Sequence, residues 1–213
     1  MADEKRRCVV LGGGPITARE LELLRADDIV WAADAGLLAA RRAGLRPALC
    51  LGDWDSCPRP DDAAELIVLP TEKDDTDTHH AARLLIERGF DGALLLGCIG
   101  GRLDHTLANL ATLLFLTRAG VRAWMVGGGA EVTALENGTL LLPRRPDCYL
   151  SLFAADGTAR GVSLAGTKYP LSEAELTADF PVGVSNEITA PQAQVTVRAG
   201  ALFVALCRRE NAG

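Results

Sequence analysis

Apolar and polar positions alternate in blocks along the first part of the chain. Arg7–Leu11, Ile29–Ala33, Ala48–Leu51, Ile67–Leu69, Ala93–Leu96 and Val121–Val126 are short, nearly continuous apolar runs. Such runs, bounded by turn residues, read as strands buried on both faces. The segments between them predict helices: about Thr17–Arg25 with Thr17 as a cap, Ala35–Ala43 stopped by Gly44, a helix after Asp77 running to about Arg88 and stopped by Gly89, and about Leu103–Arg118. Ser and Thr caps and closing glycines are the expected helix boundaries. Strands that alternate with helices imply a parallel sheet with helices on its faces.

The period changes after Gly127-Gly128-Gly129. Helical stretches give way to short alternating runs at Glu131–Leu135, Thr139–Leu142, Tyr149–Phe153, Ala159–Leu164, Gln194–Arg198 and Ala201–Leu206. This pattern predicts a small antiparallel β domain, a sandwich, with Ala199-Gly200 as the turn of a final hairpin. The expected fold class is therefore α/β over residues 1–128 followed by an antiparallel β-sandwich over residues 129–213.

In parallel sheets, ligands bind outside the carboxyl ends of the strands. Asp34, Asp53, Asp55, Asp77 and Asp104 all follow predicted strands, so they are expected to crowd one sheet edge. The segment Gly97–Leu110, GCIGGRLDHTLANL, passes from a strand through glycines into a helix, a shape suited to phosphate. Gly12-Gly13-Gly14 after the first strand is a weaker signal, for a tight turn or a phosphate loop. Massed carboxylates repel one another, and a hard divalent cation relieves the conflict. Asp53-x-Asp55 is a suitable ligand pair for Mg²⁺, which takes few carboxylates and shares its other positions with water and phosphates. Helix capping is the alternative for aspartates in such loops and suits Asp61 or Asp74 better than these.

Arg102 offers a fork of donors to a phosphate, Lys73 is either a phosphate ligand or a solvated charge, and His105 either bonds a phosphate or holds Asp104. His79 and His80 are adjacent on a predicted helix and so do not form a metal pair. Trp31 and Trp124 read as core, whereas Trp54 is also placed to stack on a ring. Neither GxxxxGK[ST] nor GxGxxG after the first strand occurs, so a nucleotide would be held in another way.

Totals narrow the classes. A net charge of −6 argues against nucleic acid, and no run approaches the length of a membrane span. The start, MADEKRR, lacks the apolar stretch of a signal peptide. Six cysteines without a CxxC pair read as free buried thiols, which places the protein in the cytoplasm.

Taken together, Gly52-Asp-Trp-Asp-Ser56, Asp75-Thr-Asp77 and Gly100-Gly-Arg-Leu-Asp-His105, with Asn109, resemble the motifs of the thiamine pyrophosphokinase family. Gly166-Thr-Lys-Tyr-Pro-Leu171 and Ser185-Asn-Glu187 resemble that family's C-terminal segments, in the same order. The resemblance spans nearly the whole chain. It implies transfer of the ATP β,γ-pyrophosphoryl group to the thiamine hydroxyl, giving thiamine diphosphate and AMP. It further implies Mg²⁺ on Asp53, Asp55 and Asp77, with Asp34, Thr76, Arg102 and His105 on the nucleotide. Arg102 and Asp77 would serve the reaction beside Asp104, which would either orient or deprotonate the hydroxyl or hold a second metal. Ser185 and Asn186 would contact thiamine across the interface of a homodimer. The chain departs from the family pattern at Ala35, where a glycine is common, and at His80, where a lysine is common. Rival readings are a pyrophosphokinase for another alcohol such as a hydroxymethyl pterin, an aspartate-nucleophile phosphatase, and a non-catalytic nucleotide- or thiamine-sensing module.

Overall fold

A computed structural model describes residues 6–72 and 74–209. The chain divides into two compact units, Met1–Gly128 and Gly129–Gly213.

The first unit contains β1 (Arg7–Leu11), α1 (Ala18–Leu21), β2 (Ile29–Ala33), α2 (Gly36–Arg42), β3 (Leu49–Gly52), β4 (Leu66–Val68), α3 (Asp77–Glu87), β5 (Gly92–Leu96), α4 (Leu103–Arg118) and β6 (Arg122–Gly127). All of its strand pairs are parallel, in the spatial order β6-β5-β1-β2-β3-β4. The apolar blocks thus have the expected cause: Cys8–Leu11 of the central β1 are fully shielded from solvent. From β1 the chain builds outward through β2, β3 and β4, then returns to the other side of β1 with β5. The order therefore reverses between β1 and β5, the switch point where α/β sheets open a crevice.

Two features fix the ends of these elements. A Cβ on Gly36 would lie 1.9 Å from the Leu11 carbonyl oxygen, so α2 begins hard against the end of β1 and only glycine fits. The helix α1 is shorter than the sequence predicts. Thr17 and Glu20 form a reciprocal cap at its start. Past its end, in the stretch predicted to be its last turn, the Asp28 carboxylate takes the Arg25 amide at 2.7 Å. Asp28 also accepts two hydrogen bonds from the Arg7 guanidinium, at 2.7 and 2.5 Å, and its side chain is 1% exposed.

The second unit is antiparallel: β7 (Ala130–Pro143), β8 (Cys148–Ala154), β9 (Thr158–Ala165), β10 (Leu171–Thr177) and β11 (Gln192–Arg208). The predicted hairpin at Ala199-Gly200 does not exist. Gln194–Arg198 and Ala201–Leu206 belong to one strand, β11, and their predicted counterparts in β7 are likewise continuous. Gly200, at φ +100°, is a bulge: the register against β7 shifts between Val197 and Ala201, and Asn137 at φ +45° accepts the Gly200 amide at 3.0 Å. The bulge lets one strand serve two neighbours, β9 on its first half and β8 on its second. The sequence pattern also misses β10, an exposed edge strand with two register shifts and little alternation. Among the described residues no helix is long and apolar enough to cross a membrane.

Candidate active site

The glycines after β1 and β5 meet at the switch point. The Gly14 amide donates to the Gly97 carbonyl at 2.8 Å, and a Cβ on Gly14 would come within 2.6 Å of that same oxygen. The two turns therefore stack backbone on backbone, which explains Gly12 and Gly14 without excluding contact with a ligand. Beside them opens a cavity of about 530 Å³. Its walls include Gly13, Gly14, Asp34, Thr76, Asp77, Gly100, Gly101, Arg102, His105 and Asn109.

Adjacent strands bring the first acids together. Ala33 of β2 pairs with Leu51 of β3, and the Asp34 amide donates to the Leu51 carbonyl at 2.7 Å. Asp34 thus stands next to the turn that carries Asp53 and Asp55. The three side chains offer carboxylate oxygens within 4.8 Å of one another. Asp34 and Trp54 both have left-handed backbones, at φ +46° and +62°, a strain that side chains other than glycine accept where the surroundings enforce it. Ser56 donates to Asp55 at 2.7 Å, and the buried Cys57 thiol lies 4.0 Å from Asp34 Oδ1. A set of three hard oxygen donors suits Mg²⁺ by its chemistry. Asp77, expected with Asp53 and Asp55, begins α3 and lines the cavity, as Asp34 does, without belonging to that group; Asp53, Asp55 and Asp104 do not line it. Asp34, expected on the nucleotide, belongs to it.

The start of α4 adds Arg102 and His105 to the lining. Arg102 reaches Asp104 with two bonds, at 3.2 and 2.6 Å, and Asp104 Oδ1 accepts the His105 amide at 2.9 Å. Both side chains are largely exposed, at 73% and 63%. Arg102, helped by the His105 amide, holds the Asp104 carboxyl below the usual carboxylate range. A carboxylate so stabilised is a weak base. The loop behind Arg102 is fixed from below: buried Asn109 donates to the Cys98 carbonyl at 2.9 Å. Burial pushes the Cys98 thiol up to about 12, so it is protonated and is no nucleophile.

The remaining candidates separate cleanly. Thr76 caps α3 by accepting the His79 amide at 3.2 Å, and it lines the cavity. His79 bonds Thr112 Oγ1 at 3.0 Å and packs on Phe115 with ring centroids 4.7 Å apart. Burial lowers its pKa, so this is a neutral packing histidine. His80 faces Asp75 at 3.5 Å. Trp31 is core and Trp54 packs on Ala32, Leu37 and Cys50. Lys73 lies outside the described residues. Arg42, at the end of α2, lines the cavity although no motif marks it.

Ser185 and Asn186 lie in the second unit. Ser185 is exposed at φ +61° and its amide donates to Ser151 Oγ at 3.1 Å. Asn186 is buried, and its amide group is engaged at both ends. Its Nδ2 donates to the Tyr169 carbonyl at 2.6 Å, while its Oδ1 accepts the Tyr169 and Glu187 amides at 3.0 and 2.8 Å. Glu187 in turn pairs with Lys168 and Arg209, each at 2.9 Å.

A doubly wound sheet whose switch-point cavity joins glycine turns, clustered carboxylates and an arginine defines a class: α/β enzymes that act on phosphorylated substrates. Comparison with known proteins makes the class specific. Residues 21–125 match the model of the thiamin pyrophosphokinase catalytic domain, and residues 139–202 match that of the thiamin pyrophosphokinase vitamin B1 binding domain. A thiamine pyrophosphokinase of Bacillus subtilis (strain 168) is 24% identical over 204 residues, covering 92% of this chain and 95% of the relative. The crystal structure of thiamine pyrophosphokinase from Bacillus subtilis superposes with a TM-score of 0.88 at 21% identity, covering 96% of this chain and all (100%) of that one. That of thiamin pyrophosphokinase from Geobacillus thermodenitrificans gives 0.84 at 27% identity, covering 97% and 100%. The chain belongs to the thiamin pyrophosphokinase family. Family membership makes it an enzyme, a thiamine diphosphokinase with a nucleotide as co-substrate.

Proposed function

We propose that the cavity at the β1–β5 switch point takes ATP, and that this chain's residues position its β,γ-pyrophosphoryl group for transfer to the thiamine hydroxyl. The observation that carries this reading is the group of Asp34, Asp53 and Asp55, with oxygens within 4.8 Å, at the edge of a glycine-walled cavity. These three side chains would hold Mg²⁺. When bound, the ion supplies charge neutralisation for the phosphates. Asp77 and Thr76, on the α3 side, and His105, on the α4 side, contact the nucleotide. Arg102 stabilises negative charge on the group in transfer. Asp104 holds the Arg102 fork in place and orients the hydroxyl. Asn186 shapes the acceptor site by fixing the Tyr169 and Glu187 backbone, leaving Ser185 as the exposed contact. The site is completed across a homodimer, in the cytoplasm, where the six cysteines, all free, stay reduced.

The match of residues 139–202 to a vitamin B1 binding domain favours thiamine over a pterin alcohol as acceptor. The test is to supply ATP, Mg²⁺ and thiamine and to identify the nucleotide product. AMP formed in step with thiamine diphosphate is expected; ADP would overturn pyrophosphoryl transfer.

A further inference from the structure

Arg41 and Arg42 are consecutive in the last turn of α2, and consecutive helical positions face about 100° apart. Their surroundings differ accordingly. Arg41 pairs with Asp62 at 2.9 Å and lines a separate cavity with Leu37, Leu45 and Cys50. Arg42 lines the switch-point cavity, as do Asp34, Ala35 and Ser56. Among the described residues it has neither a side-chain hydrogen bond nor an ion pair. Its side chain is exposed, and although Asp34 and Asp77 line the same space, neither pairs with it. The cavity's other guanidinium, Arg102, is already engaged by Asp104.

An ionised triphosphate carries more negative charge than one divalent cation and one arginine neutralise, and the carboxylates lining this cavity would repel it. A second cation is needed, and the cavity holds one that no other described group uses. The arginine fork matches two phosphate oxygens at once. We infer that Arg42 is a nucleotide-binding residue that grips the phosphate chain of ATP from α2, in the cavity that Arg102 also lines. This rests on the reading of the cavity as the nucleotide site. Arg42 also sits where a cation favours the helix dipole. That role alone would leave ligand affinity unchanged.

The test is calorimetric, on the full chain with Mg²⁺ present. Binding of a non-hydrolysable ATP analogue and of inorganic pyrophosphate is measured for wild type, Arg42→Gln and Arg42→Lys. Arg42→Gln is expected to weaken both ligands by about 10- to 100-fold, the loss of a charged hydrogen-bonded contact. Arg42→Lys should recover part of the loss, and the KM for thiamine and the melting temperature should hold. Unchanged affinity of Arg42→Gln for both ligands overturns the assignment alone. So does a loss confined to the ATP analogue with pyrophosphate unaffected, which would put Arg42 on the nucleoside. Wild type that binds neither ligand overturns the nucleotide reading, and this assignment with it.

Discussion

Two groups of motif residues stand out equally in the sequence, but the structure treats them differently. In the first unit, Asp34, Asp53 and Asp55 are pushed together with like charges adjacent, and Arg42 is left to the cavity. In the second unit, Asn186 spends both ends of its amide on backbone, and Glu187 is shared between Lys168 and Arg209. The first group masses like charge, which a cation would neutralise; the second is tied into the protein's own backbone and ion pairs. A polar motif can mark chemistry or the scaffold that shapes a site, and whether it gathers like charges or pairs opposite ones tells the two apart.

The largest effect is expected where charge is held in reserve. Asp55→Asn should lower kcat on the order of 10²–10³-fold, as loss of one electrostatic contact to a reacting group does. The same change removes repulsion within the cluster, so without divalent cations the melting temperature should stay level or rise. A fall in both would place Asp55 with the scaffold. Asp28→Asn is the converse within the same unit. It breaks a buried ion pair with Arg7 and should cost about 3 kcal/mol in denaturant unfolding. Burial raises the Asp28 pKa, but the bonds from Arg7 and the Arg25 amide outweigh it and lower the value below 3.8. The stabilisation is therefore full above the ordinary aspartate range and is lost as pH falls through the lowered value. The gap between wild type and Asp28→Asn should close on acidification and not at neutral pH.

Asn186→Ala tests the second group. It strands backbone partners that are now bonded, so it should cost about 2 kcal/mol while affinity for an ATP analogue stays at the wild-type level. Lost nucleotide binding at unchanged stability would reverse the comparison. The smallest effect is expected at Glu65, whose pair with Arg88 has bonds of 2.8 and 2.5 Å but lies at the surface. Glu65→Gln should change unfolding free energy by less than about 1 kcal/mol, and less still in high salt.

Much of this was legible in the sequence because the signals are local. The helix Leu103–Arg118 has the bounds its pattern predicts, and the period change at Gly127–Gly129 falls where the two units divide. What was not legible depends on pairing. Ala199-Gly200 reads as a turn, and only Asn137, far away on β7, turns it into a bulge. Asp34 and Asp77 both follow strands, but only strand order says that β2 lies beside β3 and brings Asp34 to Asp53 and Asp55. Arg42 sits in no motif at all. Its meaning comes from the cavity it lines and from Arg41 having been claimed elsewhere.

The make-up of the carboxylate group is the point on which the account turns. Mn²⁺ binding followed by electron paramagnetic resonance, in Asp34→Asn, Asp53→Asn, Asp55→Asn and Asp77→Asn, tests it directly. Affinity lost in the first three and largely kept in Asp77→Asn is the predicted result. Wild-type affinity in Asp34→Asn, with the loss falling on Asp77→Asn, would contradict it.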